Sequence, residues 1–428
     1  MVDYHSTMRY CFYTNIISPH QIPWCKEVVA LVGAENFRYV YTEAFHKERA
    51  AMGWNDAADG VPCLNAASSE AQDWAENADV LVYDGRDIAL FERRAARGLK
   101  TYCASERWFK PLSIRLFAFA TGFRLQLPGW LRLFVPSFWR MARRFRRLLI
   151  AGDVTYLPTG IVAAADMVTL VALRFCNPFS LKSVDGRPWH PLSAVDGYPW
   201  MRMWGYFVAP AQKKMKAKDA RERRMNEPSV VRVLWVGRML DWKRVDTIIR
   251  AVAFANEIHQ TKGGGECEQG RFTLTLVGDG PEKPRLMRLA DKLEKKTNNP
   301  IVRHKYSPLV TFRSSCPIAE IRLLMQHHDI YVLASNGFEG WGAVVSEAVA
   351  EGMSVLGSAQ AGASATILPR AQQFACSDWR KLAVLLLERS QMISSGADGA
   401  QNMELQQSWS AHVAAGAFVG LAKGGTRR

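Results

Sequence analysis

The chain has 428 residues, of which 48% are hydrophobic and 22% charged, so wholesale disorder and a fibrous chain are excluded. This length exceeds one ordinary domain, and two or three are expected. The formal net charge is +15, and two short segments account for all of it: 107–150 has ten Lys and Arg and no acidic residue, and 211–224 has seven against two.

Other bulk features narrow the class of protein further. No run of 18 or more uncharged apolar residues exists, so no bilayer-spanning helix is expected, and the first residues do not form a secretory signal. The eight cysteines are scattered and contain no C-x-x-C pair, which favours reduced thiols in the cytosol. The histidines lack metal-ligand spacing, and no metal site is predicted.

Predicted strands and helices alternate over residues 1–210, as in the βαβ units of a parallel sheet. The predicted strands are 9–15, 37–41, 79–84 and 100–104, and the predicted helices are about 19–32 and 88–97. The basic segment 107–150 follows. Residues 211–228 are highly charged, end at a proline and are interpreted as a linker.

The alternation restarts after the linker. Strands are predicted at 230–236, 272–278, 329–333 and 354–356, and helices at about 245–259, 282–296, 317–327, 342–350 and 377–392. We therefore expect an α/β protein with two doubly wound Rossmann-like domains facing a cleft, 1–210 and 229–395. Residues 396–428 would hold a C-terminal helix, about 403–421. Ligands of such sheets bind beyond the carboxyl ends of the strands.

The densest chemical signal runs from Asn336 to Gly352 and follows a predicted strand. Small residues open the next helix and leave backbone N–H groups approachable, which suits a diphosphate. They are Gly340, Gly342 and Ala343, with Trp341 between the two glycines. Glu339 and Glu347 stand eight residues apart on either side of this turn and could hold two sugar rings. Alternatively, the helix dipole alone could favour a glutamate near the start of the helix, but that interpretation would not explain the Gly-Trp-Gly run.

Two further clusters also follow predicted strands. Arg238 and Lys243 are five residues apart in a loop and could converge on phosphate oxygens. Gly278 and Gly280 form a tight turn before a helix, a signal that is weak by itself.

The order of the three clusters resembles the nucleotide-sugar-binding half of GT-B glycosyltransferases, specifically the retaining family 4, over about 229–370. By that resemblance Arg238 and Lys243 hold the donor diphosphate, Glu339 faces the transferred sugar and Glu347 the nucleotide ribose. The family usually has glycine after the lysine and proline near 354, where this chain has Arg244 and Ser354. GT-B chains often end in a helix that crosses back onto the first domain, and the resemblance implies the same for 396–428.

The front half matches the family less closely than 229–370 does. Its loop 15–21 after the first strand, together with 105–107 and 204–207, resembles a subgroup of bacterial surface-polysaccharide glycosyltransferases. His20 follows the first strand, and either contacts donor or acceptor or makes a structural hydrogen bond. Glu106 also follows a strand and could sit near the acceptor hydroxyl, although the neighbouring Arg107 could neutralise it. The insertion 188–204 is expected to shape acceptor choice.

The resemblance implies transfer of a sugar, with retention, from a UDP-, GDP- or ADP-sugar to a saccharide or lipid-linked saccharide in polysaccharide or glycan synthesis. The favoured route is front-face attack, with Arg238 and Lys243 stabilising the leaving diphosphate. No cofactor is implied. We also expect no metal, because Asp56 and Asp59 do not form an Asp-x-Asp motif beside a strand.

Segment 107–150 also holds ten aromatic residues, and its end has a helical pattern. Phe138, Ala142, Phe145 and Leu149 fall on one face, and Arg140, Arg143, Arg144 and Arg147 on or near the other. This pattern favours an anionic membrane surface and a peripheral location on the inner face of the plasma membrane. Alternatively, the aromatic residues pack into the domain and the arginines are solvated.

Other classes of protein remain as alternatives. The chain could be a nucleic-acid- or membrane-binding GT-B-like protein without transferase activity, but the Glu339/Glu347 and Arg238/Lys243 pairs would then be unexplained. No nucleic-acid-binding motif is present. An NAD-dependent dehydrogenase would need a G-x-G-x-x-G fingerprint, which is missing.

Overall fold

The computed structural model describes residues 8–43, 58, 60–85, 87–110, 112–115, 124–127, 129–172, 205–208, 230–262, 271–296 and 309–424. The predicted linker 211–228 and the insertion 188–204 lie outside these residues. The chain divides into two compact units, unit 1 with Met1–Ala50, Trp54–Phe207 and Ser410–Arg428, and unit 2 with Ala51–Gly53 and Val208–Trp409. Within the described ranges, no helix has the length and apolarity needed to cross a membrane.

Unit 1 contains a six-stranded parallel sheet in the order β3-β2-β1-β4-β5-β8. Its strands are β1 Tyr10–Thr14, β2 Phe37–Tyr41, β3 Cys63–Asn65, β4 Val80–Tyr83, β5 Lys100–Ser105 and β8 Thr155–Pro158. A separate antiparallel hairpin consists of β6 Leu112–Arg115 and β7 Arg124–Leu127. The central strands are almost wholly buried, as expected when helices cover both faces of a parallel sheet.

Five described helices connect the strands of unit 1. They are α1 Ile22–Val32, α2 Ser69–Asn77, α3 Ile88–Ala95, α4 Pro136–Ala151 and α5 Ile161–Ala172. Their starts carry recognisable signals: Pro23 lies in the first turn of α1, and the side chains of Ser68 and Asp87 accept backbone hydrogen bonds at the starts of α2 and α3.

The aromatic stripe of the basic segment packs inside unit 1. Phe145 is buried in α4 and stacks on Trp108, with ring centroids 4.6 Å apart, and Phe138 packs against the same cluster. The arginines of α4 point away from this cluster, and Arg140, Arg143 and Arg147 are exposed. The aromatic residues of α4 therefore serve the core, as the alternative interpretation expected.

The end of the chain forms two helices, where the sequence pattern predicts one at about 403–421. Asp398–Ser408, here α12, packs in unit 2, where Asp398 accepts hydrogen bonds from Arg389 at 2.9 Å and Ser354 at 3.1 Å. Ala411–Lys423, here α13, packs on α1 in unit 1. The helices separate because Ser410 caps a new helix start.

Unit 2 repeats the parallel architecture, with strand order β11-β10-β9-β12-β13-β14. The strands are β9 Val230–Val236, β10 Arg271–Val277, β11 Val310–Arg313, β12 Ile330–Leu333, β13 Ser354–Ser358 and β14 Gln373–Phe374. The remaining helices are α6 Val245–Lys262, α7 Lys283–Lys296, α8 Ile318–Gln326, α9 Ala343–Ala350, α10 Gly362–Ile367 and α11 Trp379–Ser395. The prediction of two doubly wound α/β domains is confirmed.

Candidate functional site

The strand order of unit 2 reverses between β9 and β12, which are neighbours in the sheet. At such a point the loops after the two strands diverge and leave a crevice at the carboxyl edge. The loop after β9 carries Arg238 and Lys243, and the loop after β12 carries Glu339 and Gly342. The strongest predicted cluster and the predicted cations therefore share one edge of one sheet.

Lys243 and Glu339 form an ion pair at this edge, with the ammonium donating to Oε2 of the carboxylate. Both side chains are mostly but not fully buried, at 19% and 13% exposure. The hydroxyl of Ser335 donates to the same oxygen at 2.8 Å, and Asn336 donates its backbone N–H to the carbonyl of Trp242 at 2.9 Å. The two loops are thus joined, and a cation with a carboxylate is held at their junction.

The glycine turn after β10 joins the loop after β9 through close backbone contact. A Cβ at Gly278 would lie 1.9 Å from the carbonyl oxygen of Gly237, and one at Gly280 would lie 2.4 Å from that of Met239. Both glycines have positive φ angles, of 135° and 155°. Glycine at these positions lets the two loops approach and fixes the backbone beside Arg238, whose side chain is exposed.

Helix α9 begins directly after Gly342, whose φ of 91° is left-handed and whose Cβ, if present, would meet Leu333 at 2.7 Å. In the described part of the chain no side chain caps this end of α9. Backbone N–H groups at such an end, including that of Ala343, carry a partial positive charge of roughly half a unit and are suited to an anion.

Trp341 contributes packing at this turn. Its indole is 1% exposed, donates to Ser346 at 3.1 Å and stacks on Trp409 with centroids 5.3 Å apart. Gly340 approaches the next helix closely, because a Cβ at Gly362 would lie 2.3 Å from its carbonyl oxygen. A ligand at the turn would therefore meet the backbone of these residues and not the indole.

Glu347 lies in the second turn of α9 and is buried. The charges of Glu347 and Glu339 both act on the hydroxyl of Tyr331, and together with its burial, the largest cause, they raise the pKa of Tyr331 well above its ordinary value. The phenol thus stays protonated at neutral pH. The two carboxylates proposed to hold the sugar and the ribose therefore share one electrostatic neighbour in the sheet.

His20 lies in unit 1, whereas Arg238, Lys243, Glu339 and Glu347 lie in unit 2. Its ring is half-buried, and its centroid is 6.0 Å from that of Tyr206. Its backbone carbonyl accepts from the N–H of Phe207 at 2.8 Å. Ser335 was not predicted from the sequence, and Asn336 opened the predicted run without a role of its own, although both follow β12 immediately and so share the position that made Glu339 a candidate. Among the described residues, no group of three or more His, Cys, Asp and Glu side chains could hold a metal ion.

Comparison with solved structures identifies the fold. The chain is similar to Anabaena HepE in complex with UDP, at 14% identity and a TM-score of 0.57 over 97% of this chain and 99% of that one. It is also similar to an α,α-trehalose 6-phosphate synthase from Burkholderia multivorans, at 12% identity and a TM-score of 0.53 over 98% and 97%. The two-domain Rossmann-like fold of this chain is the GT-B fold.

Part of unit 2 matches a protein-family model. Residues 230–388 match the family model described as glycosyl transferases group 1. No curated protein matches the chain. The matched residues include the Lys243–Glu339 pair and the start of α9.

Proposed function

We propose that the chain is a retaining glycosyltransferase of family 4 that moves a sugar from a nucleotide diphosphate sugar to a saccharide or lipid-linked saccharide. The observation that carries the proposal is the Lys243–Glu339 ion pair beside the start of α9, which no described side chain caps, within the residues that match the glycosyl transferases group 1 model. Because HepE was solved with UDP and with UDP-glucose, a UDP-sugar is the first donor to test, ahead of GDP- and ADP-sugars.

In this proposal each side chain has a defined task. Lys243 and Arg238 bind the diphosphate, and the N–H groups at the start of α9 add to the field that stabilises its developing charge. Glu339 accepts hydrogen bonds from the transferred sugar, and Glu347 from the ribose. The bond between the anomeric carbon and the phosphate oxygen breaks while the acceptor oxygen bonds to that carbon. The acceptor proton passes to the leaving phosphate oxygen.

The proposal needs no metal, because cations of the chain and backbone dipoles face the diphosphate. We expect turnover to be unchanged by a chelator such as EDTA. Activity lost with the chelator and restored by Mn²⁺ would contradict this part of the proposal.

The donor site is tested by Lys243→Ala. We expect turnover to fall roughly 10²–10³-fold, as for other deleted charge-stabilising donors, in a variant that stays folded although it loses a mostly buried ion pair. Arg250→Ala, which removes an exposed cation from α6, is the matched control and should keep full activity. Thermal shifts with UDP, GDP and ADP then identify the nucleotide, because a ligand that binds only the folded state raises its stability. Near-normal transfer by both Lys243→Ala and Glu339→Ala would contradict the placement of the site.

We further propose that the chain works as a peripheral protein on an anionic membrane, at the inner face of the plasma membrane. The support is on α4, where Arg140, Arg143 and Arg147 are exposed, and just before it, where Phe134 and Val135 are 75% and 50% exposed. Cations attract anionic lipid headgroups, and exposed apolar side chains can enter the interface.

A further inference from the structure

Ser335 is wholly buried just after the carboxyl end of β12. The chain turns back immediately after it, because the N–H of Glu339 donates to the carbonyl of Asn336 at 3.0 Å and the N–H of Phe338 donates to Oδ1 of Asn336 at 3.0 Å. This turn returns the Glu339 side chain to Ser335, whose hydroxyl donates to Oε2 at 2.8 Å. The contact between the serine and the carboxylate is thus built into the local fold.

The two oxygens of the Glu339 carboxylate are held differently. Oε2 accepts from both the hydroxyl of Ser335 and the ammonium of Lys243. Among the residues that the structure describes, no donor bonds to Oε1 of Glu339. Because a carboxylate oxygen has about two acceptor positions, Oε2 is fully engaged, and Oε1 is the oxygen left to accept a hydrogen bond from a ligand.

The two donors to Oε2 differ in how firmly they hold it. Lys243 has a long, flexible side chain that is 19% exposed, and in the proposed function its ammonium also binds the donor diphosphate. Ser335 has a short side chain, is 0% exposed and directly follows a buried strand. When the diphosphate attracts Lys243, the hydroxyl of Ser335 is the donor that still orients the carboxylate.

We infer that Ser335 is a positioning residue, which holds Oε2 of Glu339 so that Oε1 faces a hydroxyl group of the transferred sugar. Groups that bind a substrate need support of this kind to stay within about 0.5 Å of their productive geometry. The inference rests on the proposed function, in which Glu339 contacts that sugar. Alternatively, the bond only satisfies a buried hydroxyl, and the loss of Ser335 would then act on the fold and not through Glu339.

A double-mutant cycle on the full chain tests the inference, with Ser335→Ala, Glu339→Ala and the two together. Calorimetry gives the Kd values of UDP-glucose and UDP, of GDP-mannose and GDP, and of ADP-glucose and ADP. The ratio within each pair isolates the contribution of the sugar, since the nucleotide is common to both. We expect Ser335→Ala to reduce this contribution about three- to tenfold, part of what a hydrogen bond to a charged group gives. In the Glu339→Ala chain it should have no further effect.

Ser354→Ala is the matched control. Ser354 is also a buried serine of unit 2 whose hydroxyl donates to a carboxylate, that of Asp398 at 3.1 Å. It opens β13 and pairs with the first residue of β12, so it lies at the opposite edge of the sheet from Ser335. We expect this variant to keep the full contribution of the sugar. Ser335→Cys, in which a thiol is a weaker donor of similar size, should show an intermediate loss.

The outcomes separate this inference from the proposed function. An unchanged contribution of the sugar in folded Ser335→Ala, or in Ser335→Cys where the alanine variant does not fold, would overturn the inference alone if the nucleotides still bind. An equal loss from Ser335→Ala with and without Glu339 would overturn it too, because Ser335 would then act on the loop as a whole. If no nucleotide and no nucleotide sugar binds the unaltered chain, the proposed function fails and the inference fails with it.

Discussion

Arg244 has a backbone conformation that ordinary side chains avoid. Its φ of 49° and ψ of 41° are left-handed, and no other described residue except glycine has a positive φ. It follows Lys243 at the position where the family that the sequence resembles usually has glycine. Its guanidinium bonds both oxygens of Asp246, each at 3.2 Å. Arg244 thus adopts the left-handed conformation that a glycine would adopt without strain, and its ion pair with Asp246 offsets part of that strain.

The change in stability on replacing Arg244 should therefore depend more on the backbone freedom of the new residue than on the loss of the charge. Arg244→Gly loses a partly exposed ion pair, about 0–1 kcal/mol, and relieves a left-handed strain of about 1–2 kcal/mol. Arg244→Ala loses the pair and keeps the strain. We expect the glycine variant to be more stable than the alanine variant by about 1 kcal/mol, measured by denaturant unfolding of the full chain. An alanine variant at least as stable as the glycine variant would show that the turn is not strained.

The candidate site shows how far single residues can be predicted. Arg238, Lys243, Glu339 and Gly342 were predicted because each follows a strand at a spacing with chemical meaning, and the structure places them in two loops at one edge of the sheet. The hydrogen bond from Ser335 to Glu339 could not be predicted, because a serine hydroxyl is recognised as a donor to a carboxylate only when the distance between them is known.

At the scale of elements, α13 covers part of the sheet of unit 1, a role that its amino-acid composition does not indicate. Phe418 is buried against Trp24 of α1 and Tyr102 of β5, with ring centroids 5.0 and 5.2 Å apart. Lys100 also donates to the carbonyl of Ala422 near the end of α13. The helix therefore covers apolar surface of a sheet whose strands come from the opposite end of the chain.

Removing the central contact of α13 should destabilise unit 1. Phe418→Ala leaves a cavity among aromatic rings, and we expect a loss of about 3–5 kcal/mol in the free energy of unfolding. Val413→Ala, on the exposed side of the same helix, should change it by less than about 0.5 kcal/mol. Intrinsic tryptophan fluorescence, sensitive to Trp24, reports the transition. Equal effects of the two substitutions would mean that α13 is not part of the core.

Eight of the fourteen described strands were predicted within a few residues because buried parallel strands are continuous apolar runs. The strands β8, β11 and β14 and the helices α2, α5 and α10 were not predicted. The edge strand β3 was missed, since Cys63–Asn65 is three residues long and lacks a buried residue. The hairpin of β6 and β7 was missed inside the basic segment, where charge and aromatic residues obscure the alternation. The break between α12 and α13 was missed because Trp409 and Ser410 interrupt an otherwise helical pattern without proline or glycine.

At the scale of the whole molecule, the charge of +15 is concentrated and not spread. On α4 the aromatic residues and the arginines lie in different environments, because the aromatic stripe is buried and the arginine row is exposed. Only the arginines are therefore available to a membrane surface. Arg144 donates to Glu92 across the surface of unit 1 and is partly neutralised. Any membrane attraction by α4 thus depends mainly on the other exposed arginines and the apolar side chains just before the helix.

Sedimentation with vesicles tests this surface. We expect the full chain to bind phosphatidylcholine vesicles that contain phosphatidylglycerol, and to bind pure phosphatidylcholine weakly. Replacing Arg140, Arg143 and Arg147 by glutamine should reduce binding by roughly a hundredfold, at about 1 kcal/mol for each cation. The control replaces Arg38, Arg93 and Arg97, which are paired with acidic residues of the same unit. Equal binding by both variants, or salt-sensitive retention on DNA with none on vesicles, would contradict the proposal.

The position of α13 in the chain has a consequence for biosynthesis. A ribosome completes α1 early and α13 only after all the strands of unit 2. Until then Trp24 and Tyr102 lack the helix that covers them, so the nascent first unit exposes an apolar patch while the second unit folds. Chaperones that recognise exposed apolar patches would bind the nascent chain at this surface. A gene fragment that ends at the domain boundary would give a first unit that lacks α13, exposes this apolar surface and is prone to aggregate.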